Sequence, residues 1–207
     1  MDLEYATHRR HPELSPMISH EGLPRSEYYE SIRDQQVAAE VIAAILEKNF
    51  PESIHEDILR ATGIDRGYVV FRRRRDPAFR DGILRAYENR CAVCGFTSRI
   101  DNTVVGVEAA HIKWHQARGP DEIPNGVALC SLHHKLFDRG MITFTDDYRV
   151  LVSEHATGSA MFEHMVMDFH GRELSMPIRT DYHPNLTFVA WHVREVFREP
   201  AREIRSA

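Results

Sequence analysis

Two short pairs of metal-binding residues constrain this sequence more than any other feature. Cys91 and Cys94 form one pair, and Cys130 and His133 form the other, each with two residues between. Two pairs at this spacing supply the four ligands of a tetrahedral structural zinc site. The chain has only three cysteines, so a disulfide scheme would leave one unpaired. The pattern therefore predicts a Cys3His zinc site, with three buried free cysteines as the alternative.

Length and composition favour one globular domain with a smaller appendage. The 207 residues are 43% hydrophobic and 28% charged, which excludes wholesale disorder and a coiled-coil composition. The sequence contains no apolar run of roughly 18 residues, and it does not open with the basic and then apolar pattern of a secretory signal. We therefore expect a cytoplasmic protein without a membrane partner.

The net charge of −5 is unevenly distributed along the chain. Residues 1–70 carry 7 basic and 13 acidic side chains, whereas residues 71–139 carry 12 and 8. Because salt screens charges beyond about 10 Å, the basic middle can attract phosphate despite the acidic ends. The alternative is an ordinary solvated charged face. The middle contains four consecutive candidate DNA contacts: Arg72, Arg73, Arg74 and Arg75.

Periodicity divides the chain into three expected parts. Residues 1–25 show no pattern and are expected to form a mobile leader. Residues 26–70 are expected to be helical, with Ser53 and Glu56 forming a capping box at the start of the second helix. Residues 71–200 are expected to form the main domain.

The centre of the main domain shows the order strand, loop, strand, helix. We predict a strand at residues 104–108, a loop at 112–125, a strand at 127–129 and a helix at 131–139. A hairpin and a last helix are predicted after this unit. The overall class is therefore α+β.

A second group of functional side chains falls on the predicted helix. His134 directly follows the zinc candidate His133, and adjacent helical residues point about 100° apart, so the two can serve different sites. Asp138 lies four residues after His134 on the same helix face, where both can bind a second metal ion. His111, at the end of the preceding strand, can accept a proton from water as a neutral imidazole.

These residues resemble the HNH endonuclease family, whose ββα-metal motif is named after His, Asn and His. The resemblance covers about residues 72–140 and implies a zinc-stabilised ββα-metal core with flanking helices. It rests on the segments Cys91-x-x-Cys94, Glu108-Ala109-Ala110-His111-Ile112, Asn125-Gly126 and Leu129-Cys130-Ser131-Leu132-His133-His134.

The resemblance also implies a role for each matched residue. His111 corresponds to the general base that activates water, and Asn125 to the residue that braces the loop and orients this base. His134 and Asp138 correspond to the ligands of one divalent ion, Mg²⁺ or Mn²⁺, which polarises the phosphate and stabilises the leaving 3′ oxygen.

The chain departs from many family members directly before the base. These members carry another metal ligand there, whereas this chain has Ala110. Glu108 shares a face with Ala110 in a regular strand and is a candidate replacement, with water or a phosphate oxygen as the alternative. In the loop after the base, Lys113 and Arg118 are candidate phosphate contacts, with simple solvation as the alternative.

Outside this core the chain resembles a bacterial branch of type IV restriction endonucleases that depend on phosphorothioated DNA. In these proteins a sulfur-binding domain precedes the HNH domain and occupies more sequence than the roughly 70 residues upstream here. Residues 26–70 are therefore expected to be the tail of such a domain. The likeness rests on the segments Phe50-Pro51-Glu52-Ser53-Ile54-His55-Glu56-Asp57, Arg74-Arg75-Asp76-Pro77-Ala78-Phe79, Lys135-Leu136-Phe137-Asp138-Arg139-Gly140 and Ala190-Trp191-His192.

The sequence therefore predicts a metal-dependent HNH endonuclease that hydrolyses DNA phosphodiester bonds in restriction or defence. Its expected substrate is double-stranded DNA, with phosphorothioated DNA as a candidate. One HNH site cuts one strand per engagement, so a homodimer is a candidate assembly. The alternatives are a catalytically silent, zinc-stabilised DNA-binding module, and a relic whose acidic amino-terminal helices bind a protein partner.

Overall fold

The computed structural model describes residues 35–64 and 77–204. The helices of this part are α1 (Gln35–Asn49), α2 (Glu52–Thr62), α3 (Pro77–Ala86), α4 (Ser131–Asp138), α5 (Ala160–Met165) and α6 (Leu186–Glu195). The strands are β1 (Arg99–Ile100), β2 (Thr103–Val104), β3 (Val107–His111), β4 (Gly126–Cys130), β5 (Ile142–Phe144) and β6 (Val150–Val152). Short 3-10 turns occur at His115–Ala117, Ile123–Asn125, Met167–Phe169 and Thr180–Tyr182.

The centre of the fold is the antiparallel pair β3 and β4, followed directly by α4. Val107 lies opposite Cys130, and His111 lies opposite Gly126. Both α3 and α4 pack on this pair, and every residue of β4 is buried. This confirms the predicted α+β fold with its order of strand, loop, strand and helix.

The first predicted strand, residues 104–108, is divided in two by the structure. Thr103 and Val104 pair with β1, whereas β3 begins at Val107. Between them Gly106 adopts a φ of +75°, which ends the extended backbone. Strand β3 continues through His111, so the predicted base is the last residue of this strand.

Close approach between α3 and β4 depends on a glycine. A Cβ atom added to Gly126 would lie 2.3 Å from Ile83 Cδ1 and 3.0 Å from the ring of Phe79. Both apolar side chains are buried, and α3 can therefore lie directly against the strand end where His111 and Gly126 pair. This packing brings Phe79 to the predicted base.

The predicted carboxyl-terminal hairpin and helix are confirmed. Strands β5 and β6 pair antiparallel, and Asn185 caps α6 by accepting a hydrogen bond from the Thr187 backbone N–H at 2.9 Å. His192 on α6 is fully buried and stacks on Phe137 of α4, with ring centroids 3.7 Å apart. Helix α6 is thereby packed against α4 through the stacked His192 and Phe137 rings.

Helices α1 and α2 form a small apolar cluster of their own through Ala43, Leu46 and Leu59. The predicted capping box at Ser53 is wrong. Helix α2 begins at Glu52 after Pro51, whose φ of −63° suits a helix start, and no side chain caps it. Ser53 lies within the first turn, and its hydroxyl group makes a tertiary contact instead.

Some predictions concern residues outside the described ranges. The leader at residues 1–25 is one of them, and so is the first part of the helical segment. The candidate DNA contacts Arg72, Arg73, Arg74 and Arg75 also lie outside the described residues. Within residues 35–64 and 77–204, no helix is both long enough and apolar enough to cross a membrane.

Candidate active site and metal centre

The four predicted zinc ligands converge on one point. Cys91 and Cys94 lie in the turn before β1, Cys130 ends β4, and His133 lies in the first turn of α4. Their sulfur and Nδ1 atoms all lie within 4.8 Å of one another. In the part of the chain that the structure describes, this is the only such group of three or more His, Cys, Asp or Glu side chains.

The distances within this group suit a tetrahedral zinc ion. The His133 Nδ1 atom lies 3.7 Å from Cys91 Sγ and 3.1 Å from Cys130 Sγ, and Cys94 Sγ lies 3.9 Å from Cys130 Sγ. Zn–S bonds of about 2.3 Å at tetrahedral angles separate two sulfurs by about 3.8 Å. The four donor atoms are therefore close to the arrangement that a tetrahedral zinc ion requires.

The surroundings of His133 support the same arrangement. Its Nε2–H donates to the backbone oxygen of Met165 at 2.9 Å, which leaves Nδ1 to face the sulfurs. Burial opposes a positive charge on the ring, but the sulfurs of Cys130, Cys91 and Cys94 outweigh it and raise the pKa of His133. The pocket thus strongly favours positive charge.

The ring of His134 lies between two carboxylates. Its Nδ1 is 2.6 Å from Glu108 Oε2, and its Nε2 is 3.2 Å from Asp138 Oδ2. Both His134 and Asp138 are buried. Burial lowers the pKa of His134, but Asp138 and Glu108 outweigh this effect and raise it to about 9. This position therefore favours a positive charge on or beside the imidazole.

Glu108 does not lie where the sequence predicts it. Its Oε2 faces Nδ1 of His134, on the other side of the ring from Asp138, and its Oε1 accepts a hydrogen bond from Ser131 Oγ at 2.7 Å. The structure therefore brings His134 and Asp138 together but does not bring Glu108 to their shared side. A carboxylate in this position holds the histidine ring in place.

His111 is held by contacts on two sides. Its ring stacks on Phe79 of α3, with centroids 4.1 Å apart and an interplanar angle of 13°. Its Nε2 lies 2.7 Å from Asp121 Oδ1. Because an ionised carboxylate only accepts hydrogen bonds, Nε2 carries the proton and Nδ1 keeps a free lone pair.

The electrostatic surroundings keep His111 neutral. Burial lowers the pKa of His111 below its ordinary value of 6.5, Asp121 raises it in part, and His115 lowers it further. The charge of Asp138, the carboxylate beside His134, also raises the pKa of His111. A neutral imidazole at pH 7 is suited to accept a proton.

Asn125 closes the loop between β3 and β4. Its Oδ1 accepts from the Lys113 backbone N–H at 2.9 Å, and its Nδ2 donates to the backbone oxygens of Lys113 and Pro120 at 3.0 and 2.9 Å. The side chain is completely buried. These contacts fix both sides of the loop that carries Asp121.

The predicted DNA contacts Lys113 and Arg118 lie in the same loop. The backbone of Lys113 is bound by Asn125, and its side chain is half-buried. Arg118 is exposed and adopts a φ of +61° at the end of the 3-10 turn. Both lie within seven residues of His111 in the chain.

Two further residues, Asp121 and Ser53, contact this site and are not among the predicted site residues. Asp121 has a signal in the sequence, since it and Glu122 are the only acidic residues between His111 and Asn125, and a histidine base commonly pairs with a carboxylate. Ser53 has none. Its hydroxyl contacts Asp138 across 85 positions of the chain.

The chain is similar to a family model and to a solved structure. Residues 91–145 match a family model described as HNH endonuclease. The structure also matches that of a protein described as "Modification dependent TagI restriction endonuclease", with a TM-score of 0.43 and 23% sequence identity. That match covers 66% of this chain and 42% of the other, so it spans less than half of the other protein. No curated protein matches the sequence.

Proposed function

We propose that this chain is an endonuclease that hydrolyses DNA phosphodiester bonds with one divalent ion, and the match of residues 91–145 to a family model described as HNH endonuclease supports the proposal. One geometric observation carries the proposal: α4 packs on β3, the strand that ends at His111, and α4 places His134 Nε2 3.2 Å from Asp138 Oδ2. The pKa values of the two histidines support it, because they move in opposite directions. The pKa of His111 is lowered, whereas that of His134 is raised to about 9. Such a divergence is typical of a site in which one group acts as a base and the other binds positive charge.

His134 and Asp138 are the proposed ligands of the divalent ion. Their Nε2 and Oδ2 atoms lie 3.2 Å apart, and two ligands at about 2.1 Å from an octahedral ion are separated by about 3 Å. A mixed imidazole and carboxylate set suits Mn²⁺ or Mg²⁺. When bound, the ion supplies a positive charge that polarises the phosphate and stabilises the leaving 3′ oxygen. We assign Glu108 the role of holding the His134 ring through Nδ1, rather than the role of an ion ligand.

His111 is the proposed general base. Its Nδ1 takes a proton from a water molecule whose oxygen forms a bond with phosphorus, while the bond from phosphorus to the 3′ oxygen breaks. Asp121 keeps the N–H on Nε2 and stabilises the imidazolium that results. Asn125 acts through the loop, because it holds the backbone that positions Asp121.

Cys91, Cys94, Cys130 and His133 are the proposed zinc ligands. The distances among their four donor atoms carry this assignment. Zinc there would join the turn before β1 to the end of β4 and the start of α4. Structural zinc contributes on the order of 10 kcal/mol in small zinc-binding peptides, so its loss should loosen the whole core.

The wider biological assignment rests on the sequence resemblance. We propose that the substrate is double-stranded DNA, that the chain acts in restriction or defence in the cytoplasm, and that residues 71–200 are its endonuclease domain. Residues 26–70 are then the tail of an upstream domain, and two copies would pair to cut both strands. The proposed phosphate contacts are Arg72, Arg73, Arg74, Arg75, Lys113 and Arg118.

A plasmid-nicking assay tests the proposal. The purified, zinc-loaded chain should nick supercoiled DNA with Mg²⁺ or Mn²⁺, and H111A should lose about 10²- to 10⁴-fold in rate. The matched control is H164A, because His164 is an exposed histidine on α5 that pairs with the exposed carboxylate of Asp168. DNA binding without nicking in any divalent ion would instead favour the silent DNA-binding module.

The same assay distinguishes the substrate classes. Duplexes of one sequence, with and without a phosphorothioate linkage, are compared under identical conditions. Faster cleavage of the phosphorothioated duplex supports dependence on that modification, whereas equal rates contradict it.

A further inference from the structure

Helix α2 lies against the helix that carries the proposed ion ligands. Ser53, in the first turn of α2, places its hydroxyl group in contact with Asp138 Oδ2. This is the same oxygen that lies 3.2 Å from Nε2 of His134. The proposed metal-binding oxygen therefore has two neighbours, one from α4 and one from a helix outside the HNH match.

A second contact holds α2 in this position. Arg139, which directly follows Asp138, donates from Nε to Asp57 Oδ2 at 2.6 Å and from Nη2 to the backbone oxygen of Ser53 at 3.2 Å. Its Nη1 also donates to the Lys135 oxygen of α4 at 3.2 Å. One guanidinium thus ties the end of α4 to the first two turns of α2.

Helix α1, which packs with α2, contacts the part of the site that carries the proposed base. Helix α1 packs against the 3-10 turn His115–Ala117, in the loop that follows the proposed base. Helices α1 and α2 share the apolar cluster of Ala43, Leu46 and Leu59. The pair therefore contacts both the helix of the ion ligands and the loop of the base.

From these contacts we propose that Ser53 is a positioning residue of the catalytic ion site, which makes α2 a part of the active centre. The inference rests on the proposed function, since it requires His134 and Asp138 to bind the ion. The Ser53 hydroxyl donates to the buried carboxylate of Asp138 and directs Oδ2 toward Nε2 of His134.

The composition of the site explains why this orientation matters. Ala110 offers no ligand atom, and Glu108 faces the other nitrogen of His134, so few protein atoms define the ion position. A carboxylate free to rotate would present either oxygen or neither to the ion. Loss of an outer partner of a metal ligand typically costs 10- to 100-fold in metal affinity.

Isothermal titration of the full, zinc-loaded chain with Mn²⁺ tests the inference. S53A should weaken Mn²⁺ binding by about 10- to 100-fold at unchanged zinc content, and S53T, which keeps a hydroxyl group, should bind nearly as the unmodified chain does. Alanine is the better helix former, so S53A should retain the helix, which circular dichroism checks. The matched control is T62A, because the Thr62 hydroxyl bonds only to Ile58 and Leu59 of its own helix.

A parallel titration of D138N separates this inference from the proposed function. Loss of Mn²⁺ binding in D138N together with unchanged or tighter binding in S53A overturns the role of Ser53 and leaves the proposed ion site standing. Unchanged binding in D138N overturns the ion site itself. Weaker binding in both variants, with T62A unaffected, supports the inference.

Discussion

The side-chain amide of Asn125 pairs with the backbone of Lys113 through two hydrogen bonds, of 2.9 Å to its N–H and 3.0 Å to its oxygen. A third hydrogen bond, to the Pro120 oxygen, reaches the residue before Asp121. Lys113 lies two residues after His111. The Asn125 side chain therefore connects the backbone near His111 with the backbone near Asp121, its hydrogen-bond partner. Asn125 thus contacts the backbone of the loop at Lys113 and Pro120 rather than His111 itself.

Replacing this amide should destabilise the loop and the fold. N125D replaces the Nδ2 donor with an acceptor oxygen facing two backbone oxygens in a fully buried position, at a cost of about 3 kcal/mol. Urea unfolding of the zinc-loaded chain measures the change. The control N102A lies at an exposed turn and should change the unfolding free energy by less than about 0.5 kcal/mol. Equal stability of N125D and the unmodified chain would contradict the bracing role.

Gly119 should be intolerant of any side chain for a related reason. A Cβ atom there would lie 1.9 Å from the Lys113 oxygen and 2.8 Å from Asn125 Nδ2, so the loop would have to move. G119A should therefore lower both the melting temperature and the nicking rate. G82A is its control, because a Cβ on Gly82 meets only Ile123 at an ordinary 3.6 Å. Normal cleavage by G119A would show that the loop position is unimportant.

The pair of Asp121 and His111 should control the pH profile of cleavage. The carboxylate stabilises the protonated ring, so D121N should lower the pKa of His111 further and shift the acidic limb to lower pH. The rate at its plateau should also fall by at least about tenfold, since an amide can donate to Nε2 and force the proton onto Nδ1. Rates at saturating Mn²⁺ between pH 5 and 8 measure both effects. D146N, at an exposed turn, serves as the control and should leave the profile unchanged.

Zinc removal should loosen the core formed by β3, β4 and α4. The proposed zinc site joins the turn at Cys91 and the end of β4 at Cys130 to His133 of α4, so its loss removes the link between these segments. A strong chelator, or C130S, should lower the melting temperature by several degrees or abolish the cooperative transition. Added Zn²⁺ should restore the chelated chain, whereas Mg²⁺ should not, because thiolates prefer the softer ion. A chain with no bound zinc and an unchanged transition after chelation would contradict the assignment.

Buried His192 should make the fold sensitive to acid. Its Nε2–H donates to the Phe137 oxygen and its Nδ1 accepts from the Thr143 hydroxyl, so the ring is neutral, and burial lowers its pKa to about 4. The unfolded chain then binds the extra proton first, so stability is complete above pH 6.5 and is lost as the pH falls toward 4. The loss is up to about 3 kcal/mol.

Comparison with H192Q isolates this contribution. Glutamine cannot be protonated, so the difference in unfolding free energy between the unmodified chain and H192Q should shrink as the pH falls from 6.5 to 4. Equilibrium urea unfolding at several pH values measures this difference. A difference that stays constant with pH would show that His192 does not titrate on unfolding.

The sequence by itself determined the features that depend on local spacing. The separation of two residues within each ligand pair brings four donor atoms together once β4 runs into α4, and residues 134 and 138 share a face because a helix repeats every 3.6 residues. Strand, loop, strand and helix followed from alternation and from turn residues. All of these relations hold along a few neighbouring residues, where backbone geometry limits the outcome.

Only the tertiary structure decided which partners meet from distant parts of the chain. Sequence could place Glu108 on one strand face, but the packing of α4 on β3 put it at Nδ1 of His134 rather than beside Asp138. The contacts of Asp121 with His111 and of Ser53 with Asp138 depend on the path of a loop and on the docking of a helix. Such contacts arise from the simultaneous packing of several elements, and no periodicity in the sequence encodes the relative position of those elements.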